Sequence, residues 1–186
     1  MNNKLVIGLI GEKGAGKETL CTLFKELGPD KSIVKISSST LLAKSLDMWD
    51  LPKTRNNLQQ LAILLEESFG KGVVANAGKK LIEQSREDII LFDSVRWQSQ
   101  FDMIRSFPNS LIIYITASPE VRFERTKLRQ EKVGENEITL EKFIEEEQID
   151  TETMIPSLGQ KADIKIENNG SIQDLKMTLS KLIDQL

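Results

Sequence analysis

The sequence contains no histidine and a single cysteine, Cys21. Those shortages remove Ser–His and Cys–His nucleophilic catalysis, every His-ligated metal site, any intramolecular disulfide and any cysteine-built zinc site. Acid–base or transfer chemistry is left to Asp, Glu, Lys and Arg, or to a metal held by oxygen. Long apolar runs are missing too: Leu5–Ile10 is strand-length and stops at a glycine-rich loop, with no long apolar run after a basic start. Neither a signal peptide nor a membrane span is read from it, so a cytoplasmic location and no membrane partner are expected. An excess of basic charge is also lacking. The net charge of −3 argues against a nucleic-acid partner, while leaving room for a local basic pocket around a small phosphate ligand.

With 186 residues, 39% of them apolar and 28% charged, the chain suits one globular domain, 1–186, with a full core and room for a mobile insert. Short apolar runs at Leu5–Ile10, Ser32–Ile36, Ile89–Phe92, Leu111–Ile115 and Ala162–Ile166 read as buried strands. Helical spacing marks Lys17–Leu27, Leu41–Asp47, Thr54–Ser68, Val73–Gln84, Gln98–Ser106, Pro119–Arg129, Thr139–Gln148 and Ile172–Ile183. Strands alternating with helices predict an α/β protein: a five-stranded, mostly parallel sheet with helices on both faces, in three layers. Right-handed crossovers then bring the loops after Ile10, Ile36, Phe92 and Ile115 to one sheet edge, where ligands bind in such folds.

The segment Gly11-Glu12-Lys13-Gly14-Ala15-Gly16-Lys17 fits G-x-x-x-x-G-K, directly after a strand and before a helix. Its glycines let successive N–H groups curl toward phosphate oxygens, the helix start adds the positive end of its dipole, and Lys17 supplies a point charge for the β- and γ-phosphates. Gly11 to Thr19 is therefore the expected nucleotide cradle, with ATP and Mg²⁺ as cofactors. A Ser or Thr usually follows the motif lysine; here Glu18 does, with Thr19 next. Either Glu18 coordinates Mg²⁺ directly, or it points away and Thr19 assists.

Gly11–Thr19 resembles the G-x-x-G-x-G-K-x-T form of nucleoside monophosphate kinases, adenylate kinases among them. Further along, Ile36–Leu42 resembles the segment leading their acceptor-binding helix, and Phe92-Asp93-Ser94-Val95-Arg96 their D-G-x-R segment. Arg125 and Arg129 resemble the paired arginines at the lid base. The stretch Ala162–Ser171, with its Asn168-Asn169-Gly170 turn, looks like the last strand and turn of dephospho-coenzyme A kinases and related archaeal P-loop proteins. These matches span nearly the whole chain, and only the first is specific alone.

The resemblance implies a P-loop NTPase fold in which residues 38–85 form a helical acceptor-binding region and residues 130–150 a lid. It implies that Lys17, Arg125 and Arg129 act on the donor, that Asn169 lies at the nucleotide, and that Asp93 holds Mg²⁺ or takes the acceptor proton. Ser38, Ser39, Arg55 and Arg96 are the implied acceptor contacts. Each has a plainer reading: Asp93 as a strand-end cap, Arg96 as a surface arginine, Arg125 and Arg129 as a solvated helix face, Ser38 and Ser39 as helix caps. The expected activity is ATP- and Mg²⁺-dependent phosphoryl transfer to a nucleoside or deoxynucleoside monophosphate, by a monomer or homodimer acting on a small phosphorylated acceptor. A dephospho-coenzyme A kinase and a nucleotide-binding regulator or slow ATPase are the alternatives. Two features depart from the family: Ala43 stands where an acceptor arginine is usual, and the lid stretch is acidic from Glu135 to Glu152.

Overall fold

A computed structural model describes residues 4–28, 30–93, 95–129, 139–148 and 152–186. Five parallel strands, β1 (Leu5–Ile10), β2 (Ile33–Ile36), β3 (Ile89–Phe92), β4 (Ser110–Thr116) and β5 (Ile164–Glu167), lie in the order β2-β3-β1-β4-β5. β1 is central because it is apolar on both faces. Successive side chains of a strand point to opposite faces, so Val6 and Ile10 enter one core layer and Ile7 and Leu9 the other. β4 divides the same way, with Ile112 and Tyr114 on the first face and Ile113 and Ile115 on the second.

Helices α1 (Lys17–Leu27) and α9 (Ile172–Ile183) cover the second face through Leu20, Leu23, Phe24, Leu175, Leu179 and Leu182. Each fully buried Leu or Phe contributes roughly 1.5–3 kcal/mol. The first face is covered by α4 (Val73–Gln84), α5 (Gln98–Arg105) and α8 (Ile155–Gly159). Helices α2 (Ser38–Met48) and α3 (Arg55–Phe69) complete the α2–α4 helical region between β2 and β3. Ser37 starts α2 by accepting from the Ser39 amide, and Thr54 starts α3 by accepting from the Asn57 amide. α6 (Pro119–Arg129) follows β4, and α7 (Leu140–Glu145) follows at a distance in sequence.

The predicted three-layer α/β architecture is the observed one. Several boundaries differ where side chains distant in sequence bond at the strand ends. β2 begins at Ile33 because Ser32 instead gives its amide and hydroxyl to the Asp88 carboxylate, at 2.9 and 2.7 Å. β5 begins at Ile164; just before it, the Asp163 amide donates to the Ile112 carbonyl at 3.0 Å and its carboxylate accepts from the Ile112 amide at 2.7 Å and from Arg105. The expected Thr139–Gln148 helix is α7 followed by one 3₁₀ turn, Glu146–Gln148. α8 had no sequence signal, since five residues are too few to show a period. The expected lid, 130–150, falls partly outside the described residues. Among those described, no helix is long and apolar enough to cross a membrane.

Candidate functional site

The loop joining β1 to α1 wraps around an opening at the sheet edge. Gly14 and Gly16 sit at φ +79° and +106°, the left-handed region that favours glycine. A Cβ on Gly14 would lie 2.4 Å from the Arg122 carbonyl oxygen, and one on Gly16 would lie 2.5 Å from Asn168 Nδ2. Both surfaces of the loop are thus closed by backbone and amide groups that leave no room for side chains. Gly16 precedes α1 as its N-cap and offers no side chain, so the first N–H groups of the helix point out of its end uncovered by a cap. That is the setting in which anions bind helix N-termini.

Lys17 folds back on this loop, donating from Nζ to the Gly11 carbonyl at 2.5 Å and the Glu12 carbonyl at 3.1 Å. Burial pulls its pKa below the ordinary 10.5; the Asp93 charge pushes up against that, while Arg96 pulls down and Glu152 and Glu12 push up.

One cavity of about 340 Å³ is lined by Glu12, Lys13, Gly14, Gly16, Lys17 and Glu18 from the loop and α1. It continues to Asp93, to Arg96 and Trp97, to Ser38 and Ser39, to Arg55, and to Glu152. Most of the sequence-derived candidates therefore share one space. Gln100, buried at the start of α5, ties part of it together: its Oε1 accepts from the Arg96 and Trp97 amides at 2.8 and 3.2 Å, and its Nε2 donates to Ser38 Oγ at 3.2 Å. Ser39 Oγ is 2.5 Å from Ser37 Oγ. Arg55 Nη2 and Arg96 Nη1 both donate to Glu152 Oε1, the former at 3.0 Å.

The metal candidates separate. Glu18 and Asp93 both line the cavity, whereas Thr19, one residue along α1, is not part of its lining. Lys35, on β2, binds the Glu18 carboxylate at 2.5 and 2.7 Å and lies 4.0 Å from Asp93. Burial lowers the Lys35 pKa, but the hydrogen bond and charge of Glu18, with the charge of Asp93, hold it above its ordinary value. Two carboxylates on one cavity suit Mg²⁺, which takes one or two from protein and the rest from phosphate and water. Among the described residues, no group of three metal-ligating side chains occurs.

Other candidates are placed elsewhere. Arg125 does not line the cavity; its guanidinium donates to the Asn168 and Gly170 carbonyls at 2.7 and 2.9 Å, holding the turn after β5. Arg122, three residues earlier on α6, faces the P-loop instead. Its Nε donates to the Ala117 carbonyl at 2.9 Å, and Nη1 reaches the Lys13 carbonyl at 3.4 Å and the Glu147 carboxylate. The Arg129 side chain lies outside the described residues. Asn169 is exposed and accepts at Oδ1 from the Ser118 amide at 2.8 Å; its neighbour Asn168 is the one that touches the P-loop. Trp49 is also exposed and away from the cavity.

The sequence reading ranks Arg122 below Arg125 and Arg129, takes Asn168 and Glu152 only as parts of a turn and an acidic stretch, and does not single out Gln100 or Tyr114. Tyr114 donates its hydroxyl to Glu12, and burial together with that bond pushes its pKa up to about 12. No periodic or motif signal marks Gln100 or Tyr114. The one available hint is chemical: Tyr114 interrupts an otherwise aliphatic strand with a hydroxyl that needs a partner.

No protein-family model matches the chain. Its sequence is similar to the UPF0200 protein of Sulfurisphaera tokodaii, 28% identical over 182 residues that cover 97% of each chain. It is likewise 26% identical to the UPF0200 protein of Methanocaldococcus jannaschii over 98% of this chain and 90% of the other. Among solved structures it resembles shikimate kinase from Acinetobacter baumannii in complex with shikimate, with TM-score 0.58, 16% identity and coverage of 99% and 95%. Shikimate kinase from Bacteroides thetaiotaomicron gives TM-score 0.61 at 14% identity, covering 97% and 98%. At such identities the likeness is one of fold, and the chain has the three-layer P-loop fold of the shikimate kinase type.

Proposed function

We propose that this chain transfers a phosphoryl group from ATP to a small acceptor carrying its own anionic group, a nucleoside or deoxynucleoside monophosphate. One observation carries the reading: the P-loop lysine, the acidic residues Glu18 and Asp93, and the basic residues Arg55 and Arg96 line a single cavity. Phosphoryl transfer needs mainly positioning and charge stabilisation, with little covalent chemistry from the protein. Gly11–Gly16 and the start of α1 would cradle the polyphosphate, and Lys17 would exchange its two carbonyl partners for phosphate oxygens. Glu18 and Asp93 would hold Mg²⁺, which when bound neutralises charge on the β- and γ-phosphates. For a monophosphate acceptor the attacking atom is a phosphate oxygen, so Asp93 would act through Mg²⁺ and would take a proton only from a hydroxyl acceptor. Arg96, Arg55, Ser38 and Ser39 would orient the acceptor. Arg122, which is not among the arginines expected at the donor, reaches the P-loop, whereas Arg125 bonds the turn after β5.

A second reading, a nucleotide-binding regulator or slow ATPase, is favoured by the donor-side arginines. Arg125 is engaged with carbonyls and Arg122 with Glu147. Neither lines the cavity that holds Lys17.

The test is an acceptor panel with ATP and Mg²⁺: nucleoside and deoxynucleoside monophosphates, dephospho-coenzyme A and shikimate, followed by phosphorus NMR of the products. Transfer to a monophosphate supports the first reading. ATP binding with release of inorganic phosphate alone supports the second. Turnover confined to dephospho-coenzyme A or shikimate replaces the acceptor assignment.

A further inference from the structure

Within the acceptor side of the cavity, a carboxylate is buried against the two arginines assigned to the acceptor. Glu152 is 5% exposed, while Arg55 and Arg96 are 28% and 37% exposed. A single oxygen, Oε1, accepts from both guanidinium groups. The three side chains come from the first turn of α3, the loop after β3 and the turn before α8, so folding alone brings them together. Removing a carboxylate from water is costly, and it persists where cations and hydrogen bonds surround it. Each guanidinium carries five donors in a planar fork. Glu152 uses one nitrogen of each, and both arginines still contribute to the cavity wall. Two guanidinium groups against one carboxylate leave a net positive charge. Lys17, Arg96 and Glu152 line the same cavity, which puts this cluster beside the P-loop.

We propose that Glu152 is a positioning residue, a buried counter-ion that locks Arg55 and Arg96 into one fork for the phosphate of the acceptor. Glu152 is less exposed than either arginine, although it too borders the cavity, and the expected role differs from that of a competitor for the ligand in the sign of its effect on phosphate binding. Without the carboxylate, two like charges would repel and separate, and neither would be pre-aimed. This inference deepens the phosphotransferase reading by assigning what holds its acceptor subsite.

The experiment titrates inorganic phosphate into the full chain with the P-loop filled by a non-hydrolysable ATP analogue and Mg²⁺. The Nε–Hε NMR signals of Arg55 and Arg96 are followed. In the unaltered protein both signals move together with one midpoint. In Glu152→Gln the midpoint rises about tenfold, as expected for loss of one charge-assisted alignment, and Glu152→Asp falls between the two. Thermal unfolding on the same samples separates lost folding from lost aim. An unchanged midpoint in folded Glu152→Gln overturns the proposal, as does a lowered midpoint, which would make Glu152 a competitor. If Glu152→Gln does not fold, Glu152→Asp carries the comparison: weaker phosphate binding is expected, and equal binding overturns the idea. Failure of the ATP analogue to bind would sink the phosphotransferase reading separately, because the arginine signals can still be titrated with phosphate.

Discussion

Asn168, just past β5, donates its side-chain amide to the Ala15 carbonyl in the P-loop at 2.9 Å, across 153 residues of sequence. The same amide occupies the space a Cβ on Gly16 would need. The turn after the last strand therefore braces the loop between β1 and α1 from behind.

Asn168→Ala leaves the Ala15 carbonyl without its amide donor in a buried setting. A buried polar group that loses its partner costs about 1–3 kcal/mol, so a lower urea midpoint is expected, with weaker ATP binding because the loop is no longer fixed. Unaltered stability and affinity would remove Asn168 from the support of the cradle.

Gly16→Ala tests the cradle from the other side. Its φ of +106° is strained for alanine, and the new methyl would press on the Asn168 amide. A backbone forced into such a region costs of order 1–3 kcal/mol. Thermal unfolding should drop, and calorimetry should show ATP binding lost. Retained ATP affinity would mean the loop has another binding conformation.

Lys17→Met should abolish the rise in unfolding temperature that ATP confers, since a ligand at about 100 times its Kd stabilises by roughly 2.7 kcal/mol. The pH dependence has a definite sign. Burial lowers the Lys17 pKa from 10.5, so between its folded value and 10.5 the unfolded chain binds the extra proton. Stability contributed through Lys17 therefore rises with pH in that window, and the rise should vanish in the variant. ATP binding favours the ammonium, so affinity should fall across the same window. A wild-type minus variant stability profile flat below pH 10.5 would contradict this.

Lys35→Met removes the ammonium that binds Glu18 and approaches Asp93. If those two acids hold Mg²⁺, the half-saturating Mg²⁺ concentration for ATP-dependent stabilisation should fall, because a competing cation is gone. An identical Mg²⁺ midpoint would take Glu18 and Asp93 out of the metal shell.

Much of the fold was legible because the relevant signals are local. α1, α4, β3 and α9 begin and end where spacing, glycines and caps place them. Boundaries failed where a side chain far away in sequence claimed the backbone, as Asp88 does with Ser32 and Asp163 with Ile112. The two arginines of α6 show the same limit. Arg122 and Arg125 are three residues apart and chemically alike, yet one faces the P-loop and the other the Asn168–Gly170 turn. Phe143 of α7, against the Phe123 ring and beneath the Arg122 guanidinium, belongs to the packing around that choice.

By itself, the sequence determined the strand, glycine-rich loop and helix that open the chain, because their geometry depends on sterics and dipoles within about twenty consecutive residues. The cavity opposite them was decided only by tertiary structure. Arg55, Arg96 and Glu152 meet because three separate crossovers return to the same sheet edge. A buried charge finds its partner through the path of the whole chain, which spacing along it does not encode.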